Sequence, residues 1–352
     1  MLPLLEAKSV TAEILDGLPN ATDPFALSLN ENPFPPLPAV RSALIRSIDA
    51  ANRYPEFMPE QLRRLIAGHI GVCEQQVVLG AGASGVVMQV LHAVTRPGDR
   101  IVLSEPTFDG YPIFAQMARL QSVTIPLDKR GHHDLEALAE AAAGAGVVVL
   151  CRPHNPTGTI EPAADVDRFL RRVPDDTVVL LDEAYIEFVA PQHRIDGPAL
   201  IENFPNVVVV RTFSKAYGLA GMRIGYGFAS TELATLLWGM QMPFGMGITS
   251  LAAVATSFDA EDQLRQRILR ITGERDYLSR RLRSMGVYST DGHANFVYLP
   301  AVRRPWREVF GDTVLKARHY PDGAVRITIG SRASTQTVLA ALANRAERAN
   351  ED

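Results

Sequence analysis

The sequence predicts an α/β fold: a mostly parallel central sheet covered by helices, with a smaller α+β domain beside it. Three observations carry that expectation. Short β-branched runs recur at 76–79, 100–105, 146–151, 177–183 and 206–212. Several of them lack polar alternation, as strands covered on both faces do. Between them lie segments with apolar residues at helical spacing, such as 83–94 and 163–173, so strand and helix alternate as in βαβ units.

Read in order, the opening MLPLLEAKSV has neither the basic start nor the long apolar stretch of a secretory leader. Residues 30–38 are proline-rich, and 39–48 take a helical pattern. The run at 76–79 leads into a glycine-rich turn, Gly80 to Gly85, which opens the helix at 83–94. From Leu233 to Phe258 no residue is charged, a length that could cross a bilayer. Trp238, Gln241, Pro243 and interspersed glycines, threonines and serines instead favour a buried helix, an interdomain joint or a subunit interface. After residue 259 comes a long charged helix, then short strands at 295–300 and 324–330. The expected organisation is a large domain over 44–243. Residues 1–43 form an arm that joins 244–352 in the smaller α+β domain.

Bulk properties remove whole classes of function. A net charge of −4 over 352 residues gives no electrostatic case for nucleic acid or an anionic membrane. Two cysteines, Cys73 and Cys151, make no disulfide framework and fit a reducing cytoplasm. His132 and His133 lack metal-ligand spacing with any cysteine or acidic cluster, so no metal is expected. The arginine-rich helix around 265–283 reads as a solvated face, and His69, His92 and His319 suggest no partner.

In open parallel sheets, ligands bind beyond the carboxyl ends of the strands. Those ends carry the Gly80–Gly85 turn, Phe108, Asn155, Asp182 with Tyr185, and Ser214 with Lys215, followed by Arg223. Taken singly, each has an ordinary explanation. Asp after a strand is a common cap or turn residue, Lys is commonly solvated, and Phe is commonly core. Together they match the needs of pyridoxal phosphate. Its phosphate takes backbone N–H groups at a helix start plus a cation. The ring nitrogen takes a buried carboxylate, the 3-hydroxyl takes hydrogen-bond donors, the ring face takes an aromatic, and the aldehyde takes a lysine amine.

The blocks SEPTFDGY, CRPHNPTG, LLDEAYIEF and above all RTFSKAYGLAGMRIGY resemble the fold-type I, class I/II aminotransferases. LNENPFPPLP, RYPE at 53–56 and VRITIG near the end are similar to their histidinol-phosphate aminotransferase branch. The resemblance runs from about residue 28 to 330 and implies the pyridoxal-phosphate-dependent transferase fold. It implies that Lys215 carries the cofactor and then moves the proton of the substrate α-carbon. Asp182 would pair with the ring nitrogen, and Asn155 with Tyr185 would hold the 3-oxygen. Phe108 would stack on the ring. Ser214, Arg223 and the backbone around Ala83 and Ser84 would hold the phosphate. Tyr54 would reach the phosphate of a partner subunit, which implies a homodimer with shared sites. Arg326 would bind the anionic end of the substrate, with Asn295 and Asn30 nearby.

The chain departs from that pattern at Ser84-Gly85, where relatives carry an acidic pair, and at Arg152 and His154, where small or amide residues are usual. PFGMGITS (243–250) has glycines where relatives favour Asn or Ser. The region between 300 and 324, with basic residues that include Lys316 and Arg318, could grip a phosphorylated substrate. These leave the amino donor open between histidinol phosphate and an aromatic amino acid, with 2-oxoglutarate or glutamate as the other party. Rival readings remain. A threonine-phosphate decarboxylase shares the layout. Gly80, Gly82 and Gly85 satisfy the dinucleotide fingerprint, with Glu105 as the ribose acid, although that leaves Asn155, Asp182, Lys215 and Arg223 without a task. A cofactor-binding regulator would need a DNA-binding appendage, for which little chain precedes residue 25.

Overall fold

Seven strands build the central sheet: β1 (Val77–Ala81), β2 (Arg100–Glu105), β3 (Gln121–Pro126), β4 (Val147–Cys151), β5 (Val178–Asp182), β6 (Val207–Thr212) and β7 (Ile224–Ala229), in spatial order β1-β7-β6-β5-β4-β2-β3. The computed structural model describes residues 17–348 except 304 and 312. The opening segment read for a leader, and residues 1–16 of the arm, therefore lie outside the described residues.

The pairs β2–β3, β2–β4, β4–β5 and β5–β6 are parallel; β7 runs antiparallel to both β1 and β6. The sheet is thus mostly parallel, as expected. Alternate residues sort to opposite faces: Val147, Val149 and Leu180 pack one way, Val148, Leu150, Val179 and Leu181 the other, and all are buried. Burying such a side chain stabilises by about 1.5–3 kcal/mol, so a strand apolar on both faces is held only between two layers.

Helices supply those layers. They are α1 (Pro38–Ser47), α2 (Glu60–Ile70), α3 (Gly82–Val94), α4 (Gly110–Met117), α5 (Leu135–Ala142), α6 (Ala163–Leu170), α7 (Gly197–Asn203) and α8 (Thr231–Trp238). On one face lie α3, α4 and α8, through Val86, Val90, Tyr111 and Leu237; on the other lie α5, α6 and α7, through Leu138, Phe169 and Leu200.

Two strands of the central sheet went unread in the sequence. β3 is a sheet edge whose residues are exposed or half-buried, so no apolar run marks it. β7 is interrupted by Gly225 and Gly227, and packing requires the first of these. A Cβ at Gly225 would lie 2.3 Å from Ala83 N and Gly82 C, because the start of α3 rests on this strand.

The uncharged stretch is two helices, α8 and α9 (Ile248–Asp259), separated by residues 239–247. Among the described residues no helix is long and apolar enough to cross a membrane. After α10 (Glu261–Ser284) a second, antiparallel sheet forms from β8 (Phe296–Leu299), β9 (Arg318–His319) and β10 (Val325–Thr328), in order β8-β10-β9. α10 turns Leu264, Ile271, Leu278 and Leu282 inward. α11 (Trp306–Phe310) and α12 (Arg332–Arg348) follow. The N-terminal arm is stitched to this sheet region by Lys316 N to Phe25 O (2.9 Å) and Thr328 N to Leu27 O (2.9 Å).

Candidate active site

At the carboxyl ends of β2, β4, β5 and β6 lies a cavity of about 330 Å³, lined by Asn30, Ala83, Ser84, Phe108, Asn155, Asp182, Tyr185, Ser214, Lys215, Arg223 and Arg326. Eleven of the thirteen residues singled out from the sequence thus share one pocket. The other two do not line it. Tyr54 is 82% exposed and meets Phe244 in a tilted contact, ring centres 4.8 Å apart, beside a different hollow formed with Met246 and Leu251. Asn295 is fully buried, and its Nδ2 donates to Asn30 O at 3.1 Å, so it supports the arm from behind.

Asp182 ends β5 and is buried. Its Oδ2 accepts from Tyr111 Oη–H at 2.6 Å, and its Oδ1 accepts from Ala184 N at 3.0 Å. Burial raises its pKa, while the Tyr111 and Ala184 hydrogen bonds and Lys215 oppose that rise. Tyr185 Oη accepts from Asn30 Nδ2 at 2.9 Å and from Asn155 Nδ2 at 3.4 Å, which leaves its own O–H proton free to donate. Burial pushes this phenol up, so it stays protonated. Asn155 Oδ1 in turn accepts from Arg326 Nη1, and Arg326 Nη2 donates to Ser28 O at 2.6 Å. Arg326 is buried, and its Nε has no hydrogen-bond partner among the described residues.

Lys215 projects into the pocket with Nζ donating to Leu29 O at 3.0 Å and lying 5.9 Å from the centre of the Tyr185 ring. Its backbone is pinned because Asn32 Nδ2 donates to the carbonyls of Lys215 and Ala216. Burial first, then Arg326 and Arg223, lower its pKa to about 8, against an opposing pull from Glu31 and Asp182. Acylation of Lys215 in cofactor-free protein is therefore expected to rise through a midpoint near pH 8, not that of a free lysine at about 10.4. Peptide mass spectrometry across a pH series reads this directly, and a midpoint above pH 10 would contradict the electrostatics.

The start of α3 forms the opposite wall. Its first N–H groups have no partner within the helix, and Ala83 and Ser84 lie there beside the Arg223 guanidinium. Arg223 donates to Ala81 O at 3.1 Å and to Ser214 Oγ at 3.4 Å. It crosses so close over Gly82 (φ 74°) that a Cβ there would sit 2.1 Å from Nη2. A helix start, a hydroxyl and a guanidinium facing one space form an anion site.

Sequence reasoning missed Tyr111, which grips Asp182, and Asn32, which fixes the Lys215 backbone. Tyr111 lies three residues beyond Phe108, at the first turn of α4, and that spacing was the available signal. Of the two basic residues expected to grip a phosphate, Lys316 lies outside this pocket and pairs with Asp23 at 3.2 Å; Arg318 stands at its mouth, paired with Asp109 at 2.7 Å.

Comparison with known proteins agrees with this geometry. Residues 22–342 match the family model described as aminotransferase class I and II. An aromatic amino acid aminotransferase of Cutibacterium acnes is 39% identical over 329 residues, covering 93% of this chain and 94% of that protein. One of Streptomyces avermitilis is 37% identical over 318 residues, covering 90% and 89%. Among solved structures, a histidinol-phosphate aminotransferase from Sinorhizobium meliloti in complex with pyridoxal-5'-phosphate is similar at TM-score 0.83 and 28% identity, covering 94% of this chain and 95% of that one. The chain therefore belongs to the class I and II aminotransferases.

Proposed function

We propose that this chain is a pyridoxal-phosphate-dependent transaminase acting between an aromatic amino acid and 2-oxoglutarate, with Lys215 as the cofactor-bearing residue. The carrying observation is that a lysine amine of lowered pKa and a buried carboxylate face one pocket, with an anion site on one wall and Arg326 on another. The donors present fit the cofactor. Ala83 and Ser84 N–H, Ser214 and Arg223 suit its phosphate, Asp182 its ring nitrogen, Asn155 and Tyr185 its 3-oxygen, and Phe108 its ring face.

When bound, pyridoxal phosphate supplies an aldehyde that links to amines and a protonated ring that draws electrons from the substrate α-carbon. Asp182 would keep the ring nitrogen protonated. Tyr185 Oη and Asn155 Nδ2 would hold the 3-oxygen. Lys215 Nζ would serve as the base that accepts the substrate α-proton and as the acid that gives it back. Arg326 orients the substrate carboxylate. A hydrogen bond to a charged group is worth about 1.5–3 kcal/mol, so Arg326→Gln is expected to raise KM for both donor and acceptor by roughly 10- to 100-fold. Steady-state kinetics on each substrate checks this.

The aromatic donor is supported by apolar Leu29, Phe108 and Phe114 in the pocket, by the acidic partners that occupy Lys316 and Arg318, and by the activity named for the two bacterial relatives. Histidinol phosphate is the second reading, because Arg318 at the mouth would meet a phosphate if its pair with Asp109 opened. Assaying phenylalanine, tyrosine, histidinol phosphate and glutamate against 2-oxo acids decides between them. Release of CO₂ from threonine phosphate without an acceptor would overturn both.

The same proposal includes a homodimer with shared sites. Exposed Tyr54, Phe57, Met242 and Phe244 form an apolar surface suited to a second subunit, from which Tyr54 would reach the partner's cofactor phosphate. It also includes a cytoplasmic place in amino-acid biosynthesis, and a large domain near 44–243 beside a smaller one from 1–43 and 244–352. Because α1 is continuous across residue 43, the division falls better at the turn before Pro38.

A further inference from the structure

Parallel strands β2 and β4 pair only at Ile101 with Val147 and Val102 with Val148. Beyond that point β2 stays with β3 as far as Glu105, and β4 stays with β5 as far as Cys151 opposite Asp182. The two strands therefore part, and the pocket opens near the split. Phe108 follows one lip and Asn155 follows the other.

Two buried imidazoles span this split. His133 Nε2 lies 3.0 Å from Cys151 O, and its Nδ1 lies 2.5 Å from Ser104 Oγ. A carbonyl can only accept, so Nε2 carries a proton, and the serine hydroxyl, which can donate or accept, completes the contact at Nδ1. His154 Nε2 donates to Pro106 O at 2.9 Å, a second bridge between the loops after β4 and β2. The rings meet edge to face, with centres 4.3 Å apart. The loop bearing His133 is fixed by its backbone N–H donating to Glu161 Oε1 at 3.0 Å. Burial, then His133, holds His154 far below the usual imidazole range at about 3, so it stays uncharged. The chain continues straight into the site, because Arg152 N donates to Asp182 O at 2.8 Å, and Asn155 follows His154 directly.

We propose that His133 and His154 form a strut across the split between β2 and β4, acting as positioning residues that set the separation of Phe108 from Asn155 and Asp182. The inference rests on the pocket being a pyridoxal-phosphate site. It assigns a task to His154, where the chain departs from its relatives, and to His133, which the sequence had left in a turn. Neither residue touches the pocket; both act through the residues that line it.

The test uses full-length protein reconstituted with pyridoxal phosphate. Four quantities are read: the cofactor dissociation constant by titration of cofactor-free protein, visible circular dichroism per bound cofactor, kcat and KM. His133→Leu is expected to weaken cofactor binding about 5-fold or more, alter the visible signal and lower kcat about 10-fold with little change in KM, as misplacement of reacting groups does. His133→Gln, whose amide can still donate to Cys151 O, is expected to recover most of that. Ser104→Ala removes one contact from outside the strut and is expected to move the same quantities about 2- to 3-fold.

A His133→Leu protein that melts earlier but keeps the parent's visible signal and kcat would overturn the strut. If that variant does not fold, an unchanged visible signal and kcat in Ser104→Ala would overturn it equally. Failure of the unsubstituted protein to bind pyridoxal phosphate would instead sink the cofactor reading beneath it.

Discussion

Replacing Lys215 with alanine is expected to lower turnover by roughly 10⁴-fold or more while leaving a folded protein, because one amine serves both as cofactor anchor and as proton carrier. The side chain is half-buried and contacts a carbonyl at the rim of the pocket; the contacts that hold the segment, from Asn32, go to the backbone and survive the substitution. Melting behaviour should therefore stay close to the parent's. Measuring kcat together with the thermal transition separates the two effects. Full activity in the folded variant would refute the role given to this residue.

Asp182→Asn is expected to produce the next largest loss, roughly 10²- to 10³-fold in kcat, by removing a preorganised charge from a buried site. The amide is nearly isosteric and can still accept from Ala184 N–H or meet Tyr111 Oη, so the pocket should persist. Without the carboxylate, the charge that would favour a proton on the ring nitrogen is lost. Cofactor should still bind through Ser214, Arg223 and the start of α3. A variant that turns over at the parental rate would show that the carboxylate serves structure alone.

The sequence revealed strands where burial is two-sided. β2, β4, β5 and β6 are covered on both faces and carry apolar runs rich in valine and isoleucine, so their ends, and with them Asn155, Asp182, Ser214 and Lys215, could be placed in order. β3 escaped because none of its residues is buried, whereas β1, the other edge, is buried and could be read; β7 escaped because the start of α3 demands glycine at Gly225. Two-residue β9 carries no periodicity at all.

Within the site, the groups that follow strands were legible, whereas those that depend on contacts between distant segments were less so. Asn295 was expected near the substrate, yet it begins the approach to β8 and spends its amide on the carbonyl of Asn30, 265 residues away. Tyr111 carried no signal of its own in the sequence, and only the fold brings its hydroxyl to Asp182, 71 residues away. His133 read as a turn residue because its two partners, Ser104 and Cys151, come from strands that part only in three dimensions. The dinucleotide fingerprint at Gly80–Gly85 failed for a similar reason. β1 is an edge strand paired antiparallel to β7, and the close approach there brings Arg223 against Gly82.

The most direct measurement is borohydride reduction of the protein with pyridoxal phosphate, followed by peptide mass spectrometry. The account predicts one pyridoxyl phosphate per chain, attached at Lys215, with loss of the visible absorption. Attachment spread over surface lysines, or reduction that leaves the Lys215 peptide unmodified, would contradict it.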